Sequence, residues 1–302
     1  MNNIYKEKVK LLLRILPIVM EEDCFAVHGG TAINLFVNDL PRLSVDIDLT
    51  YIPLEDRATS ITHINEALVR IGNRTSKLLK GVRVIPRLDI CKLICEYHGH
   101  QVKIEVNQTK RGVVGGASVM MSLCPKAQEM FEAEVFARIV PMTQLYGGKI
   151  AAALSRQHPR DLFDVKYMKI GMEDAKFGLI FCLLGSDRPI HESFAPSLID
   201  QKDAMENQFS GMSDLPFTYE DYEETRSHLI EQVKNMMTDD DRRFLISFEQ
   251  GMPHWDDSPY RTFADYPSVK WKLLNLKKLA KTNPEKLKNE VQRLVVLFNS
   301  II

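Results

Sequence analysis

The chain has 302 residues, 45% of them hydrophobic, enough to bury a sizeable core and too apolar for a disordered protein. Its 39 Lys and Arg balance 40 Asp and Glu, so no global basic field advertises a nucleic-acid partner and any such contact has to be local. No apolar run approaches the ~18 residues of a membrane helix, and Cys24, Cys91, Cys95, Cys124 and Cys182 are irregularly spaced, as reduced core cysteines are; the expectation is a cytoplasmic protein with no signal peptide or anchor.

Residues 5–20 carry Val9, Leu12, Leu13, Ile15, Leu16 and Val19 at helical spacing, and Phe25-Ala26-Val27 is a short apolar run that stops at His28-Gly29-Gly30. This predicts a helix, a strand and a glycine turn. A new helix is expected from Thr31, whose hydroxyl is placed to cap it or to touch a phosphate. Val45-Asp46-Ile47-Asp48-Leu49 alternates with period two, which predicts a strand with Asp46 and Asp48 on one face. A helix is expected over 59–71. The runs 89–97 and 101–107 predict two strands joined by a hairpin at His98-Gly99-His100, with Lys103 and Glu105 sharing a face of the second. From about Thr143 the pattern is helical to the end, with helices expected at 144–157, 159–169, 177–184, 219–236, 240–248 and 284–301. The polar, proline-bearing stretch from Gly185 to Pro216 predicts a loop-rich lid or linker. The fold class is α+β: a domain over 1–140 with a mixed sheet and flanking helices, then a mostly helical lobe over 141–302 that completes an active-site cleft.

Two aspartates side by side on one strand suit a pair of divalent cations ~3.5–4 Å apart that share carboxylate oxygens. Glu105, from another strand, supplies a third carboxylate, as metal ligand or as base on an acceptor hydroxyl. Nucleotidyl transfer uses such a set to stabilise charge on a triphosphate while an acceptor oxygen attacks in line. Upstream, Gly29-Gly30-Thr31 joins a strand to a helix N-terminus, where backbone N–H groups and the helix dipole favour phosphate. Singly, each element has a plainer reading, as solvent-facing acids or an ordinary turn. The functional reading rests on their order: strand, Gly-Gly-Thr, helix, R-L-S-V-D-I-D-L, then a later strand with a central Glu.

Three stretches carry a family likeness: HGGTAINLF at 28–36, RLSVDIDL at 42–49 and KIAAALSRQHPRDLFDV at 149–165. They resemble the AbiEii/AbiGii toxin family within the DNA polymerase β-like nucleotidyltransferase superfamily, and YPSVKWKLLNL at 266–276 is similar to that family's closing segment. The family shows a lysine-led helix, an arginine-aspartate pair and a second aspartate three residues later, matched here by Lys149, Arg160-Asp161 and Asp164. One departure is the 15 residues between Gly30 and Asp46, more than the superfamily's usual gap. Taken with the residues themselves, the resemblance implies Asp46, Asp48, Glu105, Lys149 and Asp164 as catalytic. It implies nucleotide contacts from Gly29, Gly30, Thr31, Arg42, Ser44, Lys149 and Asp161, and Mg²⁺ or Mn²⁺ on Asp46, Asp48 and Glu105. It further implies an NTP substrate, pyrophosphate release, an RNA acceptor with tRNA foremost, and the toxin half of a bacterial toxin–antitoxin or abortive-infection pair with a cognate antitoxin.

By spacing alone, Lys149 follows Gly147-Gly148 at a helix start, where its ammonium either reaches a triphosphate oxygen or is an ordinary solvated lysine, while Asp161 behind Pro159 complements a helix dipole and shares a face with Asp164. Trp255 and Trp271 read as packing anchors, and Asp239-Asp240-Asp241 as a helix cap. The lysines from Lys270 to Lys288 read as a phosphate-tracking surface or a solvated helix face. Two rival functions follow from the same core: transfer to a small molecule of aminoglycoside type, which calls for a compact acidic pocket, and a non-catalytic NTP-binding regulatory module.

Overall fold

A computed structural model describes residues 1–299. The chain packs as two compact units, one of Met1–Pro141 with Tyr167–Lys169 and Glu206–Pro216, the other of Met142–Lys166, Ile170–Met205 and the chain from Phe217 onward.

The first unit is built on a seven-stranded sheet of β1 (Phe25–His28), β2 (Ile47–Tyr51), β3 (Arg83–Arg87), β4 (Lys92–Tyr97), β5 (His100–Val106), β6 (Val119–Ser122) and β7 (Phe136–Ile139). Their order is β3-β4-β5-β2-β1-β7-β6. The sheet is mixed, as expected: β2–β5 and β1–β7 are parallel and the other pairs antiparallel. Four helices flank it: α1 (Asn3–Met20), α2 (Gly29–Thr31, continuing as a π-helix over Ala32–Val37), α3 (Arg57–Leu78) and α4 (Pro125–Phe131).

Helix α1 starts where the Asn2 side chain accepts from the Ile4 N–H at 3.1 Å, and its inward stripe of Val9, Leu12, Ile15, Leu16 and Val19 is wholly buried. Each such side chain contributes about 1.5–3 kcal/mol of burial. The expected hairpin joins β4 to β5 through His98 and Gly99, at φ of 48° and 80°, the left-handed pair that a two-residue turn needs to match strand twist. On β5, Val102, Ile104 and Val106 face the core while Lys103 and Glu105 face away.

Several local expectations are corrected. Strand β2 begins at Ile47, so Asp46 sits in the segment leading into it. The second helix begins at Gly29 and encloses Thr31, which is therefore no N-cap. Strands β3, β6 and β7 and helix α4 gave no usable sequence signal.

The second unit is helical: α5 (Met142–Arg156), α6 (Pro159–Lys166), α7 (Met172–Leu184), α8 (His191–Phe194), α9 (Lys202–Ala204), α10 (Tyr219–Asn235), α11 (Asp239–Glu249), α12 (Pro267–Thr282) and α13 (Pro284–Asn299). Helices α5 and α7 meet backbone to backbone, since a Cβ on Gly147 would lie 2.3 Å from the Gly178 carbonyl carbon. Gly147-Gly148 is thus a helix contact inside α5 and not a helix start. The stretch 185–216 holds short helices, and its last eleven residues pack in the first unit. Thr238 caps α11, and Asp239, Asp240 and Asp241 fill its first turn. Among the described residues no helix is long and apolar enough to cross a membrane, and all five cysteines are free.

Candidate active site

Strand register sets a row of polar side chains across the first unit's sheet. His28 on β1 is paired with Asp48 on β2, Asp48 with Glu105 on β5, and Glu105 with Lys92 on β4. Directly paired residues project to the same side, so the four share the face opposite the buried Ile47, Leu49, Ile104 and Val106. All four are half-buried, within reach of a ligand. The Lys92 ammonium lies 2.6 Å from the Glu105 carboxylate. Asp46 is half-buried at the foot of β2, two residues from Asp48. Among the described residues no three His, Cys, Asp or Glu side chains converge closely enough to cage a metal ion. Glu105 is held toward Lys92 and does not close a trio with the two aspartates.

The glycine pair has a geometric purpose beyond a phosphate turn. Gly29 has φ of 71°, and a Cβ there would stand 2.5 Å from Asp48 Oδ2. A Cβ on Gly30 would stand 2.8 Å from both Arg42 Nη2 and Ser44 Oγ. Only at two glycines can Arg42, Ser44 and Asp48 close over the strand-to-helix turn. The motifs 28–36 and 42–49 are therefore one packed object. Thr31, fully buried, donates its hydroxyl to the Asp46 carbonyl at 2.5 Å and lies 3.1 Å from Ser44 Oγ. Arg42 is 3% exposed and donates from Nη1 to the Leu43 carbonyl at 2.9 Å. The segment 41–43 is braced from far along the chain: Leu43 N–H donates to Met212 O at 2.8 Å, and Ser213 Oγ donates to Pro41 O at 2.7 Å. For a hard divalent cation the carboxylate oxygens of Asp46 and Asp48 are the right donor chemistry, and Gly29 leaves the space beside Asp48 clear of side chain.

The second unit holds the other group that the sequence singled out. Lys149 is 6% exposed, and its ammonium lies 2.9 Å from Asp161 Oδ1 and 3.0 Å from Asp164 Oδ2. Both aspartates sit on α6 and are about 1% exposed. Arg156 adds a second cation to Asp161, with Nη2 donating to Oδ1 at 2.9 Å. Burial on its own would raise the Asp161 pKa, but Lys149 and then Arg156 hold the carboxyl well below the usual carboxylate range. The solvated-lysine reading fails, because the physical setting is a desolvated ion cluster.

Sequence reasoning missed Lys92, Arg156 and the brace at 212–213. Lys92 was within reach: a two-residue turn at His98-Gly99 fixes Tyr97 opposite His100 and hence Lys92 opposite Glu105. The brace, 172 residues from the segment it holds, had no signal.

A solved structure shares the architecture. The nucleotidyltransferase toxin MenT4 from Mycobacterium tuberculosis H37Rv aligns with a TM-score of 0.59 at 13% identity, over 90% of this chain and 93% of that one. A putative nucleotidyltransferase from H. pylori aligns at 13% identity with a TM-score of 0.45, over 79% of this chain and 100% of that one. No curated protein sequence matches. The protein is a nucleotidyltransferase in fold and class. More particularly, residues 10–274 match the model of the nucleotidyl transferase AbiEii toxin, type IV toxin–antitoxin system, and the chain belongs to that family.

Proposed function

We propose that this toxin-family enzyme moves a nucleoside monophosphate from an NTP onto the 3′ end of an RNA, tRNA foremost, with a cognate antitoxin as its cellular counterpart. The observation that carries the reading is the joint packing of Gly29 and Gly30 with Asp48, Arg42 and Ser44, which brings a carboxylate, a guanidinium and a hydroxyl to one turn, with Asp46 two residues before Asp48. Asp46 and Asp48 would hold Mg²⁺ or Mn²⁺, and Glu105 would join as the third carboxylate only by turning from Lys92, its partner in this structure; bound metal would supply charge neutralisation at the triphosphate. Arg42, Ser44 and the Gly29-Gly30-Thr31 backbone orient phosphate oxygens. The acceptor hydroxyl oxygen bonds to the α-phosphorus, the bond from that phosphorus to the β-phosphate bridge breaks, and pyrophosphate leaves with the electron pair. The hydroxyl proton passes to solvent or to Glu105. Nucleotide contact by Lys149 and Asp161, and a catalytic part for Asp164, belong to the same proposal, carried by the family pattern.

The test is incubation of the protein and Mg²⁺ with each labelled NTP and with tRNA whose 3′ terminus is intact or periodate-oxidised. Label on intact tRNA alone is the expected result. Equal labelling of oxidised tRNA defeats 3′-end transfer, and labelling of a small-molecule acceptor supports the rival substrate. Binding of NTP with no transfer to any acceptor supports a regulatory module.

A further inference from the structure

Helix α12 carries five lysines and no acid in its 16 residues, in a chain whose net charge is −1. Lys272 turns inward with Val269 and Leu276 and is buried. The other four, Lys270, Lys277, Lys278 and Lys281, are exposed. At 3.6 residues per turn they fall, with Trp271 and Leu274, within an arc of about 120° on the outer face. Trp271 is 58% exposed and Leu274 60%, so the tryptophan read from sequence as a packing anchor lies on the surface. Trp255, by contrast, packs against Phe244 at 5.3 Å between ring centroids. Lys270 has one acid, Asp265, at 3.6 Å. Among the described residues no acid pairs with Lys277, Lys278 or Lys281, although most other exposed cations of the second unit are paired, among them Arg156, Lys166, Arg188, Arg243, Arg261 and Lys286.

We infer that this face of α12 binds a single-stranded stretch of RNA, with Trp271 stacking on one base and Lys277, Lys278 and Lys281 meeting successive phosphates. The surface deepens the RNA-acceptor reading proposed above and rests on it. Unpaired lysines select a polyanion, because each phosphate contact releases condensed counterions. An exposed indole beside them supplies the flat apolar surface on which any base can stack. The apolar part is one turn long, since every other large apolar side chain of α12 is buried or half-buried and only the small Ala280 is exposed besides. That is the size of a base. A helix lying in a membrane, or one gripping an amphipathic partner helix, needs apolar residues repeated along several turns. From Lys270 to Lys281 the face runs about 17 Å, room for a few nucleotides.

The chain has two tryptophans, so Trp255→Phe leaves Trp271 as the sole indole reporter. A 12-nucleotide oligoadenylate RNA is titrated into that protein while its fluorescence is followed. Affinity is measured in parallel over a salt series for wild type, Trp271→Ala and the triple variant Lys277→Ala/Lys278→Ala/Lys281→Ala. The expected results are quenching of Trp271, an affinity loss of about tenfold in Trp271→Ala, and a log–log salt slope shallower by about 2 in the triple variant. Both variants change exposed side chains, and unaltered circular dichroism and melting temperature confirm the fold. Equal affinity and slope in all three proteins overturns the surface and leaves the RNA-acceptor reading standing. Absence of RNA binding by wild type at low salt overturns the surface as well. So does Trp271 quenching by phosphatidylserine vesicles or by a polyglutamate peptide in place of RNA. If Trp271 is quenched by RNA and tRNA takes no label from any NTP, the transfer reading fails and the surface stands.

Discussion

The polar row on the sheet and the ion cluster around Lys149 contain the same kinds of side chain, held by opposite means. Asp48 and Glu105 are aligned by backbone register, remain half-buried, and owe little of their position to each other. Lys149, Asp161 and Asp164 are nearly inaccessible and hold one another through buried ion pairs. Charges fixed by backbone hydrogen bonds remain available to a ligand. Charges fixed by one another are coupled to folding, because removing one strands the rest without solvent.

A crossed pair of variants gives the largest effects and the sharpest test of this contrast. Asp48→Ala is expected to lower NMP transfer by roughly 10²–10³-fold or more while the melting temperature stays near wild type. Lys149→Ala is expected to lose about 3–5 kcal/mol of stability, a fall in melting temperature of about 6–20 °C. NTP affinity of the folded Lys149→Ala fraction then separates a brace from a phosphate ligand: a brace leaves it unchanged, a ligand lowers it. If the two variants exchange phenotypes, the distinction between the regions collapses.

Next in size is Gly29→Ala, which has to displace the Asp48 carboxylate and adopt φ of 71°. Because a misplacement of about 1 Å at a reacting group costs on the order of 100-fold, turnover is expected to drop by that order with the carboxylate still present. Wild-type turnover in this variant would detach the glycine pair from the site. Asp161 gives a smaller, pH-dependent effect. Its folded pKa lies below its unfolded one, so its contribution is fully present above the ordinary carboxylate range near 3.9 and is lost as pH falls through the folded value. Melting from pH 5 down to pH 3 is expected to show the onset of that loss in wild type, about 1 kcal/mol, and a flatter acid limb in Asp161→Asn. The smallest effect is Lys92→Met, because Glu105 is 39% exposed and solvent screens the pair; stability is expected to change by less than about 1 kcal/mol. A several-fold change in turnover without a melting shift would place Lys92 in the service of Glu105.

The same contrast explains what the sequence disclosed. Local chemistry was legible: a two-residue turn with glycine announced the β4–β5 hairpin, alternation exposed Asp48 and Glu105 as outward residues, and order along the chain tied Gly29-Gly30 to R-L-S-V-D-I-D-L. Long-range packing was not. Strand β6, Val119-Met120-Met121-Ser122, lies at the sheet edge with three of its four residues exposed, and shows neither a core-facing alternation nor a buried run. Gly147-Gly148 was read as lying at a helix start because the sequence does not reveal that α7 lies against Gly147. The burial of Lys149 and the exposure of Trp271 both depend on which helices lie alongside. A helical pattern says which residues share a face and leaves open which face is covered.

The brace at Met212 and Ser213 also has a consequence in time. The segment leading into Asp46 emerges early in translation, yet the residue whose hydroxyl holds Pro41 is made 172 positions later. At about 5–20 residues per second that interval is roughly 10–30 s. The nascent chain carries its aspartates long before it carries the clasp that settles the strand leading to them, so a ribosome-bound fragment ending before residue 206 has the acids of a nucleotidyltransferase without the fastening that sets them.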